Sequence, residues 1–240
     1  HHQQARRKPP DRDWTSASER EKVPVSFLLN FVANTLASGI GAATGLQATL
    51  RATQNLHPYP LPRQFSGLLD LPLRRQYLDP GEVLGMYGVT SGMTVLDAGC
   101  GTGLFTIEVA RMLGDLGQVH AVDVQPAMIE RTRARAAGAG VTHMVQLHHG
   151  GVYDLPFPDD TIDLAVLIST LGEVPDKPAA LSELRRVLKP GARLGISEEL
   201  LFTSYQLAGS ARRWAEDAGF RFLAKTGSPV CYHMVFANEK

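Results

Sequence analysis

The sequence predicts an α/β fold, a doubly wound and mostly parallel sheet, with a helical extension at its N-terminal end. Three observations carry this. Short apolar, β-leaning runs alternate with helical stretches from about residue 80 onward, and Ile162–Ile168 is apolar almost without a break, as a central strand buried on both faces should be. Thr94–Phe105 reads T-V-L-D-A-G-C-G-T-G-L-F: a strand closed by Asp97, glycines at every second position (Gly99, Gly101, Gly103), then a helix. A second strand follows and ends in another acid, Asp123, about 20 residues after the glycine turn.

The elements follow in order. Residues 1–22 are polar, with Arg6, Arg7 and Lys8 near the start and Pro9-Pro10 after them, and read as a loose arm. No charge occurs between Lys22 and Arg51. Residues 23–56 therefore read as an uncharged helix, and Ala37, Gly41 and Gly45 give it the small-residue spacing of close-packed membrane helices. Its asparagines and threonines keep two readings open, a membrane anchor and a helix that packs on the domain or lies in the interface. Residues 57–80 form a linker, H-P-Y-P-L-P from His57, and a covering segment.

The domain proper is expected over residues 81–240. Pro80–Tyr87 is a short helix. After the first strand come a helix over Leu104–Leu113, a strand over Gln118–Val122 and a helix over Pro126–Ala137, in which Arg131, Arg133 and Arg135 read as a solvated face. His143–His148 is the third strand and Ile162–Ile168 the fourth. Lys177–Leu188 is a helix ended by Lys189-Pro190-Gly191. Ala192–Ser197 is the fifth strand and Leu207–Ala218 the last helix. Phe220–Lys225 and Cys231–Phe236 close the chain as a hairpin around Thr226-Gly227-Ser228-Pro229.

Composition bounds the function. Lys plus Arg equals Asp plus Glu at 24 each, so global charge offers nothing to a nucleic acid. The 44% hydrophobic share suffices for one well-cored domain. Cys100 lies inside the glycine turn, which argues against a disulfide framework and for a reducing, cytoplasmic setting, with membrane association through the N-terminal helix as the variant. No cysteine–histidine cluster has metal-ligand spacing, and His148 and His149 point to opposite faces of a strand.

The glycine turn lacks the G-x-G-x-x-G of dinucleotide binders, because Leu104 stands at the sixth position. Together with Asp123 it resembles instead the class I S-adenosylmethionine-dependent methyltransferases, most closely their small-molecule branch, which includes the ubiquinone/menaquinone-biosynthesis enzymes. The likeness runs from about Leu61 to Phe236. It implies a seven-stranded sheet of order 3-2-1-4-5-7-6 with strand 7 antiparallel. It implies that Asp97, Gly99, Cys100, Gly101 and Gly103 wrap the methionine part of S-adenosyl-L-methionine, that Asp123 holds the ribose, and that Val124, Met128 and Val152 lie by the adenine. Ser169 and Thr170 should face the cofactor. The sequence departs from the family where Gly151 replaces an aspartate expected to reach the adenine, and where Gly172-Glu173 replaces two histidines.

The resemblance implies methyl transfer to a small-molecule or lipid-like acceptor. Methyl transfer is an in-line displacement for which alignment matters more than a protein nucleophile. Glu198, Glu173, His149, Tyr153 and Tyr205 are candidate bases, none of them assigned a catalytic role. A membrane or membrane-protein partner would act through Val23–Leu50. The competing expectation is a non-catalytic subunit of a membrane-associated assembly. A nicotinamide-dependent dehydrogenase fits poorly, for want of the last fingerprint glycine.

Overall fold

A computed structural model describes residues 25–240; the arm expected at residues 1–22 lies outside the described residues. The chain divides after Leu46 into two units. The first contributes the opening turns of helix α1, Val25–Leu56. The helix stops at Leu56, two residues before the first proline of Pro58, Pro60 and Pro62, since a residue preceding proline is pushed out of the helical region. Among the described residues no helix is long and apolar enough to cross a membrane.

The second unit takes in the end of α1 and then a covering segment, made of a 3-10 stretch at Arg63–Asp70 and helix α2 at Pro72–Tyr77. Helix α3 is Pro80–Tyr87. Its first turn is capped by Asp79, whose carboxylate accepts from the Glu82 N–H at 3.0 Å, and it ends at Gly88 with φ 87°. The remaining elements are β1 (Thr94–Ala98), α4 (Leu104–Leu113), β2 (Gln118–Asp123), α5 (Pro126–Gly138), β3 (Val145–His149), β4 (Ile162–Ile168), α6 (Lys177–Val187), β5 (Leu188–Glu199), α7 (Ala208–Asp217), β6 (Phe220–Gly227) and β7 (Cys231–Asn238).

The seven strands lie in the order β3-β2-β1-β4-β5-β7-β6. All pairs are parallel except those made by β7, which runs antiparallel to both β5 and β6. This is the sheet the sequence reading expects. Alternation sends side chains to two separate cores. Leu96, Ala98, Ala165 and Leu167 pack with α6 and α7 residues such as Leu181, Leu184 and Ala211. Val95, Leu164 and Val166 pack with Leu84 and Tyr87 of α3 and Val109 and Leu113 of α4. Each fully buried leucine contributes about 2 kcal/mol of apolar transfer.

Two element boundaries differ from expectation. The third strand begins at Val145, because Thr142–Met144 forms a 3-10 turn. The fifth begins at Leu188, which pairs with Ile162 before the register shifts and Arg193 takes up with Leu164. Lys189-Pro190-Gly191 is thus an irregularity inside β5 rather than a helix stop, and Gly191 supplies the positive φ of 74° that it needs.

The order of strands reverses between β1 and β4, so their carboxyl ends open a crevice. Asp97, Asp123, Ile168 and Glu199 all sit at or near strand ends on that side.

Candidate active site

A cleft of about 320 Å³ occupies this crevice, within the size range of small-molecule sites. The glycine turn and the β2 tip supply Gly99, Gly101, Asp123, Val124 and Met128 to its wall; Gly151, Val152 and Tyr153 come from beyond β3; Ser169, Thr170, Glu173 and Val174 come from beyond β4. The covering segment completes it with Pro58, Pro60, Leu61, Ser66 and Leu69.

The turn is built for close backbone approach. Gly99 has φ 82°, and a Cβ there would lie 2.4 Å from the Thr170 methyl. Gly101 has φ 53°, and a Cβ would press on Leu69 at 3.2 Å. Asp123 fixes the turn from the next strand. Its Oδ2 accepts from the Gly101 N–H at 2.9 Å and its Oδ1 from the Gln125 N–H at 2.8 Å. Each oxygen keeps lone-pair capacity for a ligand hydroxyl in the cleft. Burial raises the Asp123 pKa, and these two N–H groups oppose the shift.

Three residues expected at the cofactor do not reach the cleft wall. Asp97 is buried, accepts from the Thr106 hydroxyl at 2.6 Å, and is pushed by burial up to about 6. The Cys100 thiol turns to the Thr132 hydroxyl at 3.7 Å. Gly103 starts α4, and a Cβ there would meet the Thr132 side chain at 2.8 Å. Their contribution is to shape the turn from behind. Gly99, Gly101, Asp123, Val124, Met128, Val152 and Ser169 do come together on the wall. Gly151 lines it too, with room for a side chain, since an added Cβ would find Val124 at an ordinary 3.6 Å.

The candidate bases separate. Glu173 and Tyr153 line the cleft. The Tyr153 hydroxyl accepts from the Asp176 N–H at 2.8 Å. His149 bonds the Val124 carbonyl, Tyr205 donates to the Pro229 carbonyl at 2.6 Å, and Glu198 is buried off the wall. His233 has its Nδ1 2.7 Å from the Ser197 hydroxyl.

Burial raises Glu198 from 4.5 to about 8, against the N–H groups of Gln206 and Gly172 that it accepts from. Between those values the folded state holds a proton that the unfolded state releases, so stability falls as pH rises through that window. Glu198→Gln should therefore stabilise the domain by about 1–2 kcal/mol at pH 8 and by almost nothing at pH 4.5, measured by urea unfolding at both. An equal effect at the two pH values would show that Glu198 is not a buried acid of this kind.

Polar ties that the sequence did not disclose hold the covering segment over the cleft. Gln125 Nε2 donates to the Leu61 carbonyl at 2.9 Å, and the nearby Leu61 backbone acts to lower the Glu173 pKa. Arg131 donates to the Ser66 hydroxyl at 2.5 Å; Arg135 donates to Asp70 at 2.6 Å, and so does Thr102 at 3.1 Å. Two of the three arginines read as a solvated face are thus tethers, whereas Arg133 pairs with Glu130 on the surface. On the other side Glu199, almost wholly buried, takes both Nε and Nη2 of Arg74, the Tyr77 hydroxyl at 2.8 Å and the Ser169 hydroxyl at 2.6 Å. Ser169 holds φ 55°, an uncommon backbone for a non-glycine residue.

Among the described residues no group of three His, Cys, Asp or Glu could hold a metal ion. The cleft has two carboxylates, apolar side walls and a glycine turn. That donor set fits a nucleoside carrying a positively charged substituent.

Comparison with known proteins agrees. A methyltransferase-domain family profile matches residues 95–191. A crystal structure of an S-adenosylmethionine-dependent methyltransferase from Aquifex aeolicus superposes with TM-score 0.69 at 29% identity, over 75% of this chain and all of that one. Residues 95–191 thus match a methyltransferase domain, and the fold is similar to that of S-adenosylmethionine-dependent methyltransferases. Among curated relatives, the ubiquinone/menaquinone biosynthesis C-methyltransferase of a Marinomonas species is 36% identical over 152 residues, 58% of this chain and 61% of that protein. Its counterpart from an Enterobacter species is 40% identical over 111 residues, 46% of this chain and 44% of that protein. The chain thus spans less than two thirds of the length of the curated relatives it matches.

Proposed function

We propose that the protein transfers a methyl group from S-adenosylmethionine to a small, apolar acceptor, with a carbon atom of a quinol-like ring as the leading case. The observation that supports this most is Asp123, anchored by two N–H groups at the β2 tip and still able to accept from a ribose. When bound, the cofactor supplies a methyl group already activated by a positive sulfur.

The chain's own residues do the rest. Asp123 takes the ribose hydroxyls. Val124, Met128 and Val152 would hold the adenine, with Gly150 and Gly151 lining the cleft where the family has an aspartate. Gly99 and Gly101 would leave space for the methionine part. Leu61, Leu69 and the prolines of the covering segment exclude water, so that donor and acceptor meet aligned; such alignment is worth roughly 7–11 kcal/mol. The quinol-like acceptor is drawn from the relatives' activity and from the apolar cleft wall. The uncharged stretch of α1, exposed at Leu46 and Leu50, supports a membrane surface as the place where an apolar acceptor is met.

Titration calorimetry with S-adenosylmethionine, followed by transfer of labelled methyl to a quinol acceptor with and without lipid vesicles, tests this. Absence of binding at millimolar cofactor would end the reading. Binding without transfer to any acceptor would favour a non-catalytic subunit.

A further inference from the structure

The charges around the cleft are one-sided. Its wall carries two carboxylates, Asp123 and Glu173, and no lysine, arginine or histidine. The two carboxylates occupy opposite sides. Asp123 ends β2, and both its oxygens are committed to the turn that shapes the ribose end. Glu173 follows β4. Its N–H donates to the Thr170 carbonyl at 2.9 Å, and Thr170 packs directly on Gly99, where the glycine turn begins. Glu173 is therefore the carboxylate on the side of the cleft where the methionine part passes the β4 end.

We propose that Glu173 reads the charge of the cofactor: as a carboxylate it favours the sulfonium donor over the neutral thioether left after methyl transfer. This rests on the methyltransferase reading above and deepens it. Donor and product share ribose, adenine, amino and carboxyl groups. A negative charge at Glu173 thus acts on the one difference between them, the positive sulfur.

The groups facing Glu173 set its ionisation. They are Asp123 from β2 and Glu198 from β5; the Lys177 ammonium, three residues beyond the Val174 carbonyl it donates to, is turned to that carbonyl and to the Trp214 ring. Burial first, and Asp123 second, raise Glu173 to about 8, opposed by the Leu61 backbone. The carboxylate is thus mostly protonated at pH 6.5 and mostly ionised at pH 9.

The test is calorimetric titration of the full chain with S-adenosylmethionine and, separately, with S-adenosylhomocysteine, at pH 6.5 and 9. The ratio of the two affinities should shift toward the donor by roughly tenfold between these pH values. In Glu173→Gln the ratio should stay within about twofold. A flat ratio in the unaltered protein overturns the proposal without needing any variant. An undiminished shift in a folded Glu173→Gln protein also overturns it. Failure of both ligands to bind at either pH would instead remove the methyltransferase reading beneath it.

Discussion

Asp123→Ala should weaken binding of S-adenosylhomocysteine by roughly a hundredfold or more. Two charge-assisted hydrogen bonds to a ribose are worth about 1.5 kcal/mol each or more, about 3 kcal/mol together, which is that factor in the dissociation constant. Alanine also frees the Gly101 and Gln125 N–H groups, which loosens the turn. Asp123→Asn keeps an oxygen for one of them and should lose roughly tenfold. Calorimetry on folded variants checks both. Unchanged affinity in Asp123→Ala would mean that the cleft does not hold a ribose at this point.

The second large effect is expected at the Arg74–Glu199 pair. The two charges are 4% and 1% exposed and 2.7 Å apart. Removing one partner of a buried pair leaves the other uncompensated and typically costs about 3–5 kcal/mol. Arg74→Met should thus lower unfolding stability by about 3 kcal/mol in urea. It should also expose residues 57–78 to limited proteolysis, since Arg74 ties the covering segment to β5. The double variant Arg74→Met with Glu199→Gln should regain much of the stability, because no charge is then stranded. A double variant no better than the single one would locate the loss in packing against Phe202 instead.

The fold was legible wherever local chemistry decides structure. Alternation and the unbroken run Ile162–Ile168 placed β4 to the residue. Pro80 marked the start of α3, and the glycine turn marked the β1–α4 junction. Legibility failed where a distant partner decides. Leu188 joins a strand because Ile162 lies beside it, and Pro190 within that strand looked like a stop. Arg131 and Arg135 follow a pattern that suits a solvated helix face; Ser66 and Asp70, each 65 residues away, make them tethers.

The site shows the same division. Gly99, Gly101 and Asp123 announced themselves by spacing. Asp97, Cys100 and Gly103 share that spacing but lie against Thr106 and Thr132 rather than on the cleft wall, a distinction that spacing alone does not carry. Glu199 could not be singled out from Glu198. The two are neighbours on a strand, and alternation sends one to Arg74 and Ser169 and the other to Gln206.

The hold on Leu61 has a kinetic meaning. Its carbonyl is gripped by Gln125 from the β2 side, and Leu61 itself lines the cleft. On the proposed function, replacing Gln125 should quicken release of the spent cofactor, and turnover becomes a matter of unlocking as much as of bond-making.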